Sequence, residues 1–262
     1  MSQRTWIWPV RTVSVLLAGT VLAVGTGSVI GFFFIHVRTG TSVIVQKVNR
    51  VEVKEGNGDV VIRSGAVGSP IVVTATLHSA LRTARYTQSV TGGVLRAVGS
   101  CRSWSIFADS CSADLTLTVP PGLSVVVTID NGDSTVRTTG PITVTSQNGD
   151  IDVTRGGGSI QVRTSNGDVT GSRLLAGTVS AKSSTGDVDL TFAVPPGHVT
   201  ATSGVGDVEV AVPDDGTAYR VDATAIIGDR SVSVPTAGTA RTITAHSATG
   251  DVRIRTTKPT TP

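Results

Sequence analysis

The stretch Ile142-Thr143-Val144-Thr145-Ser146-Gln147-Asn148-Gly149-Asp150-Ile151-Asp152-Val153 returns, altered but aligned, as Ile160-Gln161-Val162-Arg163-Thr164-Ser165-Asn166-Gly167-Asp168-Val169. In both copies apolar residues alternate with hydroxylated or charged ones, so one face of an extended chain is buried and the other is wet. The Asn-Gly pair between the alternating halves supplies the positive φ of a tight turn. Each copy therefore reads as strand, turn, strand.

The Gly-Asp pair marks every copy. It occurs at Gly58-Asp59, Gly132-Asp133, Gly149-Asp150, Gly167-Asp168, Gly186-Asp187, Gly206-Asp207, Gly228-Asp229 and Gly250-Asp251. From Asp133 onward the aspartates follow at intervals of 17, 18, 19, 20, 22 and 22 residues. Val188-Asp189-Leu190, Val208-Glu209-Val210 and Val252-Arg253-Ile254 continue the alternation behind their own pairs. A near-constant period of this size signals a solenoid. Two short strands fill a coil of 17 to 22 residues, which leaves no room for the helix of a leucine-rich repeat. The expected fold is all-β: a β-solenoid of short strands, coil on coil at about 4.8 Å. An antiparallel β-sandwich is the alternative, because hairpins closed by Asn-Gly look the same locally.

Composition agrees with strands. Of 262 residues 39% are hydrophobic and only 4% aromatic, which excludes a disordered chain and requires a core of Val, Ile, Ala and Thr. Residues 43–130 are less regular, with strands expected over 43–53, 60–63, 71–77, 94–98, 115–119 and 125–129. A Val-Pro-Pro-Gly turn stands at Val119 to Gly122 and again at Val194 to Gly197. No linker divides the body, so one domain is expected over 43–256, with a disordered end at 257–262.

The net charge is +3, yet every acidic residue lies at or beyond Glu52. Arg4, Arg11 and Arg38 flank an uncharged run, and without them the body is neutral. A neutral body lacks the basic face that nucleic acid needs. The run itself, residues 13–35, has 23 residues without a charge, about 35 Å as a helix and enough to span a bilayer. Trp6 and Trp8 stand where an aromatic belt belongs. A cytoplasmic tail at 1–11 and a single-pass signal-anchor helix at 12–37 are expected, with the body extracytoplasmic. The alternative is a cleaved signal peptide, with Ala23-Val24-Gly25 as the small-residue site. Arg38, Lys47 and Arg50 leave the positive-inside count undecided, and the cysteine pair favours an outside body. Gly19, Ala23, Gly27 and Gly31 form a ridge of small residues through which two such helices would pack as a homodimer.

Cys101 and Cys111 stand ten apart, a spacing unlike that of metal ligands. A local disulfide in an oxidising compartment is expected, two buried thiols being the alternative. The loop between them carries Trp104, Ile106 and Phe107, either a contact tip or a cap on the first coil.

Chemistry-bearing motifs are sparse. Calcium-binding β-rolls also repeat glycine and aspartate, but every nine residues, so the turn aspartates are expected to satisfy backbone amides instead. The outward Thr, Ser and Asp residues show no convergent acid pair of glycosidase type, and no nucleophile elbow, zincin or phosphate-loop motif occurs. No catalytic residue, metal or cofactor is expected.

The repeated Gly-Asp-Val units, from Asn57 to Val61 onward, and the Val119 to Gly122 turn behind an N-terminal anchor resemble the bacterial "putative adhesin" family, a domain of unknown function, in an actinobacterial-type membrane-anchored form. Asp133-Ser134 and Asp229-Arg230 depart from the unit, lacking its valine. The resemblance implies a β-solenoid in the cell envelope and no catalytic residues. The expected function is a non-enzymatic surface binding or scaffold module, with envelope proteins or cell-wall glycans as partners. An envelope-stress sensor or regulatory partner is the alternative, and a carbohydrate-active β-helix enzyme the third reading.

Overall fold

The computed structural model describes residues 36–79, 83–102, 111–238 and 240–257, and these contain strands and no helix. The first seven strands are β1 (His36–Ile44), β2 (Arg50–Asn57), β3 (Val60–Ser64), β4 (Ile71–Ser79), β5 (Thr83–Thr91), β6 (Val94–Arg102) and β7 (Cys111–Val119). Six strands carry the regular repeat onward: β8 (Ser124–Asn131), β9 (Ser134–Arg137), β10 (Ile142–Asn148), β11 (Ile151–Thr154), β12 (Ser159–Asn166) and β13 (Val169–Leu174). Eight complete it: β14 (Thr178–Thr185), β15 (Val188–Phe192), β16 (His198–Val205), β17 (Val208–Pro213), β18 (Arg220–Ile227), β19 (Arg230–Ser233), β20 (Thr242–Thr249) and β21 (Val252–Thr257).

Every Gly-Asp pair turns the chain from one sheet into the other. The strand before it joins a ten-stranded sheet and the strand after it an eleven-stranded sheet. Successive coils pair in parallel and in register: Ile142, Ile160, Val179 and Val199 are neighbours across four strands. The two inner faces close on a dry core of Val, Ile, Leu and Ala. Side chains this small suit the narrow space between the sheets, which an aromatic core would force apart. Phe192 and Tyr219 are the exceptions, both buried.

Parallel pairing through the repeat selects the β-solenoid over the antiparallel sandwich. Antiparallel pairing is confined to an N-terminal cap. There β6 and β7 form a coil stacked on β2 and β3, β5 runs antiparallel outside β6, and β4 then β1 run antiparallel outside β7. Insertion of this cap explains the 74-residue gap between Asp59 and Asp133, because β3 lies directly beside β9.

Four boundaries differ from expectation. The 43–53 strand is broken at 45–49, between β1 and β2, and β5 was not anticipated. β1 opens at His36, so His36 and Val37 fall inside the span assigned to the anchor, while residues 12–35 lie outside the described ones. β21 reaches Thr257, which the sequence assigned to a disordered end. The larger correction concerns order: β20 and β21 insert between β16–β17 and β18–β19, so the last two coils are interchanged relative to the chain. Arg230, one of the two departures from the repeat, explains the end position. It stands in register with Val252, at the position that valine, isoleucine or serine holds in the other Gly-Asp coils, and although exposed its guanidinium reaches the Ala223 carbonyl at 3.5 Å across the open end. A charge at this position on a terminal strand blocks further stacking.

Candidate functional site

The Gly-Asp pairs form one continuous corner of the solenoid. Their glycines hold φ between +132° and +143°, where L side chains are strained. A second constraint adds to the first: a Cβ on Gly149, Gly167 or Gly186 would stand 2.0–2.3 Å from the carbonyl oxygen of the glycine one coil before. Outside the corner, each aspartate accepts from the backbone N–H of the aspartate in the next coil: Asp133 to Asp150, Asp150 to Asp168 and Asp168 to Asp187, at 2.8–2.9 Å. The ladder continues through Asp187, Asp207 and Asp251 to Asp229. At the other end Asp59 serves Asp133, and Asp114, which lies outside the repeat, serves Asp59.

Inside the corner a column of buried hydroxyls does the complementary work. Thr164, Ser183, Ser203 and Ser247 donate to the carbonyls of Gly149, Gly167, Gly186 and Gly206. Beside the aspartates, Asn131, Asn148 and Asn166 each donate to the asparagine of the coil before, at 2.9–3.0 Å. These aspartates, hydroxyls and asparagines tie one coil to the next, while the buried Ser134 and Ser146 hydroxyls have no partner among the described residues. Among the described residues no group of three or more His, Cys, Asp or Glu side chains is placed to hold a metal ion.

Glu55 holds the same register position on β2, separated from the hydroxyl column by Ile129 of β8. It is fully buried, its Oε1 accepts from the Gly56 and Asn57 amides, and its Oε2 has no partner among the described residues. It lies over Gly99 so closely that a Cβ there would overlap Oε2. Burial, more than the nearby Asp114 and Asp130, pushes this carboxyl up to about 8. Its signal in the sequence was weak, an acidic residue in phase with the core.

Cys101 and Cys111 are joined in a disulfide, Cα to Cα 6.0 Å, across the corner of the cap coil where the others carry Gly-Asp. Beside it His78 Nε2 lies 3.2 Å from Asp114. Trp104, Ile106 and Phe107 lie outside the described residues, as do Gly19, Ala23, Gly27 and Gly31. One charged cluster escaped the sequence reading because its members come from three coils. Asp189, Glu209 and Arg253 are cross-strand neighbours on the outer face of the eleven-stranded sheet, and Arg255 pairs with Glu209. Burial first, then Glu209, holds Asp189 above the usual carboxylate range. A cavity of about 330 Å³ opens between residues 44–48, Pro70, Pro120 and Leu123. Among the described residues Lys47 is its one ionisable lining residue.

The model of the Toastrack DUF4097 family matches residues 24–258. The chain belongs to that family. This Toastrack chain matches no curated protein significantly. Among solved structures it is similar to a "putative adhesin" from Bacteroides fragilis, at 13% identity and TM-score 0.47, over 84% of this chain and 97% of that one. It is also similar to a "putative cell adhesion protein" from Clostridium sporogenes, at 8% identity and TM-score 0.34, over 85% and 100% of the two chains. A "putative adhesin" from Parabacteroides merdae matches at 10% identity and TM-score 0.29, over 83% and 95%.

Proposed function

We propose that this protein is a membrane-anchored, extracytoplasmic binding module without catalytic activity, its partner an envelope protein or a cell-wall glycan. The observation that carries the reading is the outer face of the ten-stranded sheet. Thr128, Thr145, Arg163, Lys182, Thr202 and His246 are register neighbours along it, a row of hydrogen-bonding groups about 4.8 Å apart. A flat, periodic row of this kind suits an extended, repetitive partner better than a small substrate, which needs a cleft. The disulfide suits an oxidising compartment, and the 23-residue uncharged run suits an anchor.

The test has two arms. Full-length protein in detergent is incubated with purified cell-wall glycan and with envelope membrane fractions. Retention on either, weakened when Arg163 and Lys182 are both changed to Glu, supports the reading. Absence of retention contradicts it, and so does release of new reducing ends from the glycan, which would restore the carbohydrate-active alternative. Protease added to intact cells tests the location: loss of the body is expected, and full protection would contradict it.

A further inference from the structure

We infer that β1 is a homodimerisation edge, on which a second copy of this chain adds its own β1 antiparallel about a twofold axis at Gly40. The strand is nearly palindromic about Gly40. Residues 37–43 read Val37-Arg38-Thr39-Gly40-Thr41-Ser42-Val43, and Gly40 is the midpoint of the nine-residue strand. Antiparallel pairing of a strand with itself sets residues equidistant from the axis opposite one another. Val37 then faces Val43 of the other copy, Thr39 faces Thr41, and Arg38 faces Ser42, so no like charges stand opposite. Only this register uses all nine residues while keeping matching faces together.

The structure leaves this edge open among the described residues. β1 ends the eleven-stranded sheet and pairs on one side only, with β4. Its valines are exposed although apolar, Val37 at 55% and Val43 at 57%. Arg38 is the one cationic guard on this edge; the strand has no proline and no bulge, and its register with β4 is unbroken over nine pairs. A further copy would also extend existing hydroxyl pairs, because Thr39 already meets Thr76 and Thr41 meets Thr74 across β4. Space permits it, since the eleven-stranded sheet overhangs the other by one strand, and a Cβ at Gly40 meets nothing within 4 Å.

The inference does not depend on where the protein resides, and it competes with the helix-ridge dimer. Antiparallel β1 strands hold the two His36 residues about 27 Å apart, whereas helices packed through Gly19 and Gly27 would bring them together. Single cysteines in the full-length chain separate the two under mild oxidation, read by non-reducing gel and mass spectrometry. Gly40→Cys should cross-link to itself. Val37→Cys and Val43→Cys should stay monomeric alone, each about 20 Å from its own copy, and cross-link when mixed. Val45→Cys should stay monomeric throughout. Monomeric Gly40→Cys overturns the inference. So does Val37→Cys that cross-links to itself as readily as to Val43→Cys, the result expected of parallel helices.

Discussion

At Gly167 the backbone sits at φ +136°, and a Cβ would stand 2.3 Å from the Gly149 carbonyl oxygen. Gly167→Val therefore meets two obstacles, conformational strain and a backbone clash, and should lower unfolding free energy by about 3 kcal/mol or more. Asp168→Asn keeps an oxygen acceptor for the Asp187 amide and should change it by less than about 1 kcal/mol. Urea denaturation of both variants checks the pair, and equal losses would contradict the roles given to them. The glycine was legible in the sequence through its turn chemistry; the clash was not, because the carbonyl belongs to another coil. Glu55 makes a separate prediction. Its folded-state value of about 8 lies above the ordinary 4.5, so the fold prefers the protonated acid. This contribution is complete below pH 4.5, declines as pH rises toward 8, and is absent above that. Glu55→Gln cannot ionise, so its stability relative to the natural protein should rise steadily between pH 5 and 8. A difference that does not change with pH would contradict the assignment.

Among the elements, the repeat strands were the most legible and the cap the least. Alternation in the regular copies is phased by the recurring turn, so face and register follow from the period. In β1 and β5 no Gly-Asp pair sets the phase, and both faces of β1 are largely exposed, so neither strand has a hydrophobic signature. Cap geometry also gives the disulfide its place, closing the coil whose corner lacks Gly-Asp. In the chain-entropy model a loop of this length contributes about 3 kcal/mol or slightly less. Replacing Cys101 and Cys111 together by Ser should cost about that much and leave the repeat coils folded. Chemical denaturation followed by strand-signal circular dichroism measures it, with no loss of stability as the contradicting result.

For the whole molecule, parallel stacking was legible from eight Gly-Asp pairs, but coil order was not, because the recurring period and alternation do not by themselves rank neighbouring coils for the slot beside β16 and β17. What distinguishes them is Arg230, whose charge tolerates only an end position. The outer face of the ten-stranded sheet offers a direct ruler. Thr202 pairs with His246 and His246 with Thr224, and Thr128 lies in the same row four strands from Thr202. Spin labels at Thr128 and at one of the other three positions, read by double electron–electron resonance, measure the stack itself. Separations of roughly 19 Å to Thr202, 24 Å to His246 and 29 Å to Thr224 are expected, at about 4.8 Å per strand. A Thr224 distance shorter than that to His246 would contradict the interchanged coils, and distances that fail to grow along the row would contradict the solenoid.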